Sequence, residues 1–254
     1  MFLRVATIAA LLLAPLSAQA PAKTTASAAL PDARMLIDKH IKAIGGREAI
    51  LAHTSMHGTG TVSVPKEGMT GQIEVFGAAP NLQLVRINMG GIGEIIEGFD
   101  GKHGWSVNPV TGPTLKVGKE LDQVKLDADF YSDLRDPKTY PDVKTLEKVT
   151  FDGRPCYKVS LKRIDGSEDF DYYDAATGLR AGVEGTRETQ MGTITQMSVE
   201  SDYKKFGKLM QPTQLVTTTK PESVEQRITL EAVEYDAVVP STFEPPAAIK
   251  ALIK

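Results

Sequence analysis

From Ser55 onward the chain alternates. In "MHGTGTVSV" the residues Met56, Gly58, Gly60, Val62 and Val64 fall on one side, as do Met69, Gly71, Ile73 and Val75 in "MTGQIEVFG". A period of two marks a strand, whose successive side chains point to opposite faces. "NLQLVRINM", "IGEIIEGF" and "HGWSVN" follow, and then a second set runs from "DVKTLEKVTF" to "VEQRITLEAVEYDAVV". Short turns of Gly, Pro, Asn or Asp separate about a dozen such segments, which predicts antiparallel hairpins in a meander. "IDGS" predicts a tight two-residue hairpin, because Asp-Gly accepts the primed turn conformation. "DAATGLR" predicts a longer hairpin loop with its Gly at positive φ.

The period changes at three places. "PDARMLIDKHIKAIGGREAILA" has helical spacing, with Met35, Leu36, Lys39, Ile41, Ile44 and Ile50 on an interrupted apolar face. Asp32 is placed to cap it, and Gly45-Gly46 predicts a break into two helices. "GKELDQVKLDADFYSDL" offers Leu121, Val124, Leu126, Phe130 and Leu134 as a helical or irregular crossover between the two strand sets. "STFEPPAAIKALIK" closes the chain with Pro245-Pro246 at a helix start and Ile249, Leu252 and Ile253 as a small anchor.

A sheet this long cannot stay flat; twist curls it into a barrel or splits it in two. The expectation is a mainly β single domain over residues 32–254, curled around the first helix and the crossover. Its concave face would be apolar and able to take a ligand. The alternation assigns Val62, Val64, Ile73, Val75, Trp105, Val159 and Leu161 to that face. The competing reading of the same residues is an ordinary core with no room left.

The N-terminus adds a destination. In "MFLRVATIAALLLAPLSAQAPAK" a basic start precedes a soft apolar run, and Ala18-Gln19-Ala20 matches a secretory cleavage pattern. About twelve apolar residues fall short of the ~20 that a spanning helix needs. We expect export, cleavage after Ala20, no lipid anchor, and a flexible leader over residues 21–31. Removing 20 of 254 residues leaves 234, enough for one domain, and takes the net charge from −3 to −4. A mildly acidic chain without basic runs argues against nucleic acid. Cys156 is the sole cysteine, so no internal disulfide forms, and "RPCYKVSL" reads as a strand in which it serves as a small apolar residue.

Candidate chemistry is sparse. Phe-Asp-Gly occurs in "EGFDGKHGW" and again in "VTFDGRPCY", without wider similarity, so the same turn used twice accounts for it. His53 and His57 have the spacing of a zinc pair on a helix, but the helix ends near Ala52 and no third ligand follows. "DGSEDFDYYD" lacks the alternation of a calcium loop and reads as charge on the solvent face of a hairpin. "GGIGEII" lacks the last Gly of a dinucleotide fingerprint and any βαβ context. There is no Gly-x-Ser-x-Gly elbow and no evident partner for Cys156. The residues point to no catalytic group, no metal and no cofactor.

Taken together, "IDKHIKAIGGREAILAHTSMHGTGTVSVP", "GFDGKHGWSVNPVTGP", "FDGRPCYKVSLKRIDGSEDFDYYDAATGLRAG" and the closing "FEPP" resemble the LolA-like outer-membrane lipoprotein-sorting group. The likeness is to its broad periplasmic branch, with an Ile-Gly-Gly helix end and a Tyr-Tyr-Asp-x-x-Thr-Gly-Leu hairpin, and it runs from about Asp32 to the C-terminus. It implies an antiparallel half-open β-barrel (LolA/LolB-like) with a helical lid over an apolar cavity, and a periplasmic carrier or chaperone for a lipid or lipoprotein acyl chains. It also implies an arginine on an early strand that holds the lid, for which Arg86 is the candidate. The expected partner is therefore a hydrophobic ligand, bound by a monomer. The alternatives are an interaction or sensor module that recognises an envelope protein without lipid transport, and a hydrolase whose site is dispersed in the sequence.

Overall fold

The computed structural model describes residues 29–189, 192–221 and 223–253; the predicted export segment and most of the leader lie outside them. Asp32 caps helix α1 (Ala33–Ala43), its carboxylate accepting from the Met35 amide at 3.1 Å. Gly45 and Gly46 take φ of 128° and 93° and separate α1 from α2 (Arg47–Leu51). Gly45 is needed twice over, since a Cβ there would lie 2.6 Å from the Lys208 carbonyl oxygen. The face that α1 buries is Ala33, Leu36, Ile37, His40 and Ile41, while Met35 points to solvent.

The first strand set comprises β1 (Ser55–Val64), β2 (Met69–Ala78), β3 (Leu82–Met89), β4 (Gly93–Phe99), β5 (Gly104–Asn108) and β6 (Gly112–Lys116). Helix α3 (Gly118–Asp127) and a 3-10 turn at Ser132–Leu134 form the crossover. The second set is β7 (Asp142–Phe151), β8 (Arg154–Lys162), β9 (Glu168–Asp174), β10 (Arg180–Thr189), β11 (Gly192–Phe206), β12 (Leu209–Lys220) and β13 (Val224–Tyr235). A 3-10 turn at Pro240–Phe243 and helix α4 (Ala247–Lys250) end the fold. All thirteen strands form one antiparallel sheet in the order β6-β5-β4-β3-β2-β1-β13-β12-β11-β10-β9-β8-β7. The first and last strands meet in its middle, with Met56 opposite Tyr235 and Ser63 opposite Arg227. Edges β6 and β7 do not pair, so the barrel is half open.

The two Phe-Asp-Gly copies are both turns, built differently. Phe99 pairs with Gly104 across a four-residue loop in which Asp100 accepts from the Lys102 and His103 amides at 2.8 and 2.6 Å. Phe151 pairs with Arg154 across Asp152 (φ 47°) and Gly153 (φ 72°), the two positive angles of a primed turn. The Asp165-Gly166 connection is not the tight hairpin its residues predict. Lys162 pairs with Glu168, and only Gly166 has positive φ, so the loop is longer.

Both faces of the sheet are covered. On the concave side α1 packs over the β7–β10 half, placing Leu36, Ile37 and Ile41 against Val159, Leu161 and Tyr173. Each such aliphatic side chain contributes about 1.5–3 kcal/mol on burial. On the convex side the C-terminal segment lays Phe243 and Ile249 over Leu84 and Trp105. Among the described residues no helix is long and apolar enough to cross a membrane.

Candidate functional site

Strand register places each residue assigned to the concave face. Val62, Val64 and Ile73 lie together with Met89 in a buried cluster, and Val75 joins it from beside a cavity. Val159 and Leu161 are fully buried in the other half, beneath α1. Trp105 is on the opposite face: it pairs with Gly98, which faces Leu84, which faces Phe76, whereas Val75 and Ile73 have the other parity. Its indole packs against Gly98, where a Cβ would come within 2.3 Å of the ring. Trp105 therefore anchors the C-terminal segment and takes no part in the interior.

The cavity lies between the α1–α2 end of the barrel and the crossover, with a volume of about 210 Å³ and a partial opening to solvent. Ile44, Ile50, Met56, Val75, Leu209 and Phe130 are among its apolar lining, and Asp127, Asp129 and Asp133 line it from the crossover. Gly77 keeps it open: a side chain there would point at the Phe130 ring and Met56. The lid is tied at this end by the Phe130 amide, which donates to the Pro80 carbonyl at 3.0 Å, and by the Tyr131 hydroxyl, which donates to the His53 carbonyl at 3.1 Å. Asp129 stands at the rim, its carboxyl raised above the usual range by burial. His53 stacks on Tyr235 at 4.3 Å and binds Asp236 at 2.7 Å.

The remainder of the lid is held by charge. Arg135 donates to both oxygens of Asp171 at 2.8 and 2.9 Å, and Asp171 also accepts from the Tyr173 hydroxyl at 2.7 Å. Arg180 joins Glu200 on β11 to Asp133 on the lid at 3.0 and 2.9 Å. Arg163 and Arg187 both contact Asp127 and Asp169. Burial alone would raise the Asp171 and Asp133 carboxyls, but the guanidinium groups of Arg135 and Arg180 reverse this and hold both below the usual range. The acidic hairpin is thus the reverse of its sequence reading. Asp169 and Asp171 face inward and are buried, and Phe170 faces outward beneath the Lys158 ammonium at 4.3 Å. Arg86, the lid arginine that the resemblance implied, is exposed on the convex face above the Phe76 ring; Arg135, Arg163, Arg180 and Arg187 hold the lid instead.

His40 sits against this network. Its Nδ1 accepts from the Arg180 amide at 3.2 Å, its ring lies 5.5 Å from that of Tyr173, and Nε2 has no partner. Burial first, and the neighbouring Arg180 charge second, lower its pKa from 6.5 to about 4; Asp133 and Asp171 oppose and Arg135 adds to the lowering. The native state therefore keeps His40 neutral where the unfolded chain would protonate it. Stability should be full above pH 6.5 and fall as pH drops toward 4, by about 2.5 kcal/mol between pH 7 and 4.5. Urea unfolding of wild type and His40→Asn at the two pH values checks this: the variant should lose less stability over that interval, and equal losses would assign the pH dependence to other groups.

The remaining candidates disperse. His53 follows α2, whereas His57 lies on the convex face, stacked on Phe76 and 3.2 Å from Glu74. Cys156 is buried with its thiol pKa raised by that burial. Among the described residues no three His, Cys, Asp or Glu converge to hold a metal.

A half-open antiparallel barrel, lidded by a helical crossover and holding a small apolar cavity at one end, defines the class of fold. At the level of sequence, no family model and no curated relative matches the chain. Solved structures do. A DUF1329 family protein from Desulfovibrio piger superposes with a TM-score of 0.57 at 12% identity, covering 84% of this chain and 97% of its own. A LolA superfamily protein from Nitrosomonas europaea superposes at 0.56 and 13% identity, covering 85% and 99%. The chain has a LolA-like fold.

Proposed function

We propose that the protein is an exported, periplasmic carrier that shelters a hydrocarbon group in the cavity beneath its crossover lid. The observation that carries this reading is the recess of about 210 Å³, lined by aliphatic and aromatic side chains with Asp127, Asp129 and Asp133 on its lid side, that Gly77 leaves open. It exceeds the ~150 Å³ engineered cavity that admits benzene. Six methylenes buried there are worth ~5 kcal/mol, a sub-millimolar affinity that permits release as well as capture. A longer chain requires the lid to lift. The N-terminal export pattern and the LolA-like fold agree with a periplasmic site of action.

The test is displacement of a neutral solvatochromic dye by dodecyl maltoside. Binding should occur in the wild type and weaken at least tenfold in Gly77→Leu, whose side chain fills the recess while Tm stays within a few degrees. No binding, or binding indifferent to Gly77→Leu, would remove the carrier reading, and copurification of one envelope protein with an empty cavity would replace it with an interaction module.

A further inference from the structure

Asp127 is oddly placed. It is the last residue of α3, where the helix dipole is negative and a carboxylate is disfavoured. It is also the most exposed member of its ionic group, with a side chain 32% accessible against 10% for Asp169 and 5% for Arg163. It nevertheless lies 2.7 Å from Arg163 Nη2 and 3.1 Å from Arg187 Nε. Both arginines belong to the sheet side, and both are tied from below by Asp169, at 2.6 and 2.8 Å. Two cations thus share one fixed anion and one anion brought by the lid. When the lid lifts, Asp127 leaves and Arg163 and Arg187 keep only Asp169 between them, a local excess of one positive charge at this pair; Arg135, also on the crossover, leaves Asp171 in the same movement.

That floor adjoins the apolar cavity. A polar recess of about 200 Å³ is lined by Arg135, Arg163, Arg180 and Arg187 together with Asp169, Asp171, Glu184 and Glu200, and it shares Asp127 and Ser132 with the lining of the cavity. A tail in the cavity would therefore put the head of an amphiphile where the Asp127 carboxylate now stands.

We propose that Asp127 occupies the place of an anionic headgroup, and that the natural ligand is an amphiphile whose phosphate or carboxylate replaces Asp127 between Arg163 and Arg187. Planar guanidinium groups suit both anions, since each offers paired donors to two oxygens. The closed lid then carries its own competitor, so Arg163 and Arg187 are each paired with two carboxylates in the empty protein, and loading exchanges one carboxylate for another anion. The proposal rests on the carrier reading and adds the headgroup to it.

The experiment measures dye displacement from the mature chain by dodecyl phosphate, dodecyl maltoside and dodecyltrimethylammonium, in wild type, Asp127→Asn and Arg187→Gln. Asp127→Asn should tighten dodecyl phosphate about tenfold more than dodecyl maltoside, whose own gain reads the loosened lid alone. Arg187→Gln, a partly exposed site chosen over the buried Arg163, should abolish the preference for the phosphate while keeping maltoside binding. Equal affinity across the three heads, or an equal gain for the maltoside in Asp127→Asn, would overturn the headgroup assignment and leave Asp127 as a simple lid contact, with the carrier reading intact. Failure of every amphiphile to bind would overturn both. Inorganic phosphate at matched concentration separates a tethered head from a free anion: it should not raise Tm as dodecyl phosphate does, and equal stabilisation would overturn the amphiphile assignment.

Discussion

Replacing Asp171 by Ala should destabilise the protein by about 3–5 kcal/mol, one of the largest effects of any single substitution. Asp171 is completely buried and satisfies two donors of Arg135 and the Tyr173 hydroxyl together. Removing it leaves two guanidinium donors of Arg135 and the Tyr173 hydroxyl without partners in a buried site, with only the Ser132 carbonyl still accepting from Arg135, and the cost is that of an uncompensated charge, not of a lost attraction. For a domain of this size the loss corresponds to a fall in Tm of roughly 10 °C. Thermal unfolding followed by circular dichroism measures it. The triple substitution Arg135→Met, Asp171→Leu and Tyr173→Phe should recover most of the stability, because it removes every group that needs a partner. If Asp171→Ala costs less than about 1 kcal/mol, water reaches the pair and the lid is not locked there.

Trp105→Ala is expected to have an effect of the same order, about 3–5 kcal/mol, by a different route. The indole is fully buried between Gly98 and the C-terminal segment, in contact with Leu84, Phe243 and Ile249. Gly98 has no side chain with which to fill the vacated space, so the cavity persists unless the C-terminal segment collapses onto the sheet or leaves it. Limited proteolysis distinguishes the two, since release exposes the chain near Val239 to cleavage. Because Trp105 is the only tryptophan in the chain, its emission reports this clasp and should stay unchanged when the concave cavity fills.

How far the sequence could be read depends on which contacts are local. The strands, the Asp32 cap, the Gly45-Gly46 break and the dual use of Asp-Gly turns were legible because each is decided within a few residues. The interior was less so. Strands β3 to β5 carry apolar residues at both parities, Val85 and Ile87 on one face and Leu84, Ile96 and Trp105 on the other, because both faces are covered. Alternation alone cannot then say which face is concave, and Trp105 fell on the other side. The ionic lattice was invisible for a related reason. Asp171 and Asp169 alternate with Phe170 and Tyr172 as an ordinary solvent-facing hairpin would, and Arg135, the partner that reverses the pattern, lies 36 residues away from Asp171. A signal did exist: four arginines at 135, 163, 180 and 187, matched by acids at 127, 133, 169, 171 and 200, is a dense charge complement for strands otherwise so apolar.

The pairing of β1 with β13 sets the order of assembly. Each arm of the sheet is a run of neighbouring hairpins that can zip locally, but the seam joining them waits for the final strand, about 170 residues downstream of its partner, and closing so long a loop is entropically slow. Until that seam forms, two unfinished sheets each expose a raw hydrogen-bonding edge, so a chain interrupted before Val224 should stick to its own kind and not stop at a tidy intermediate.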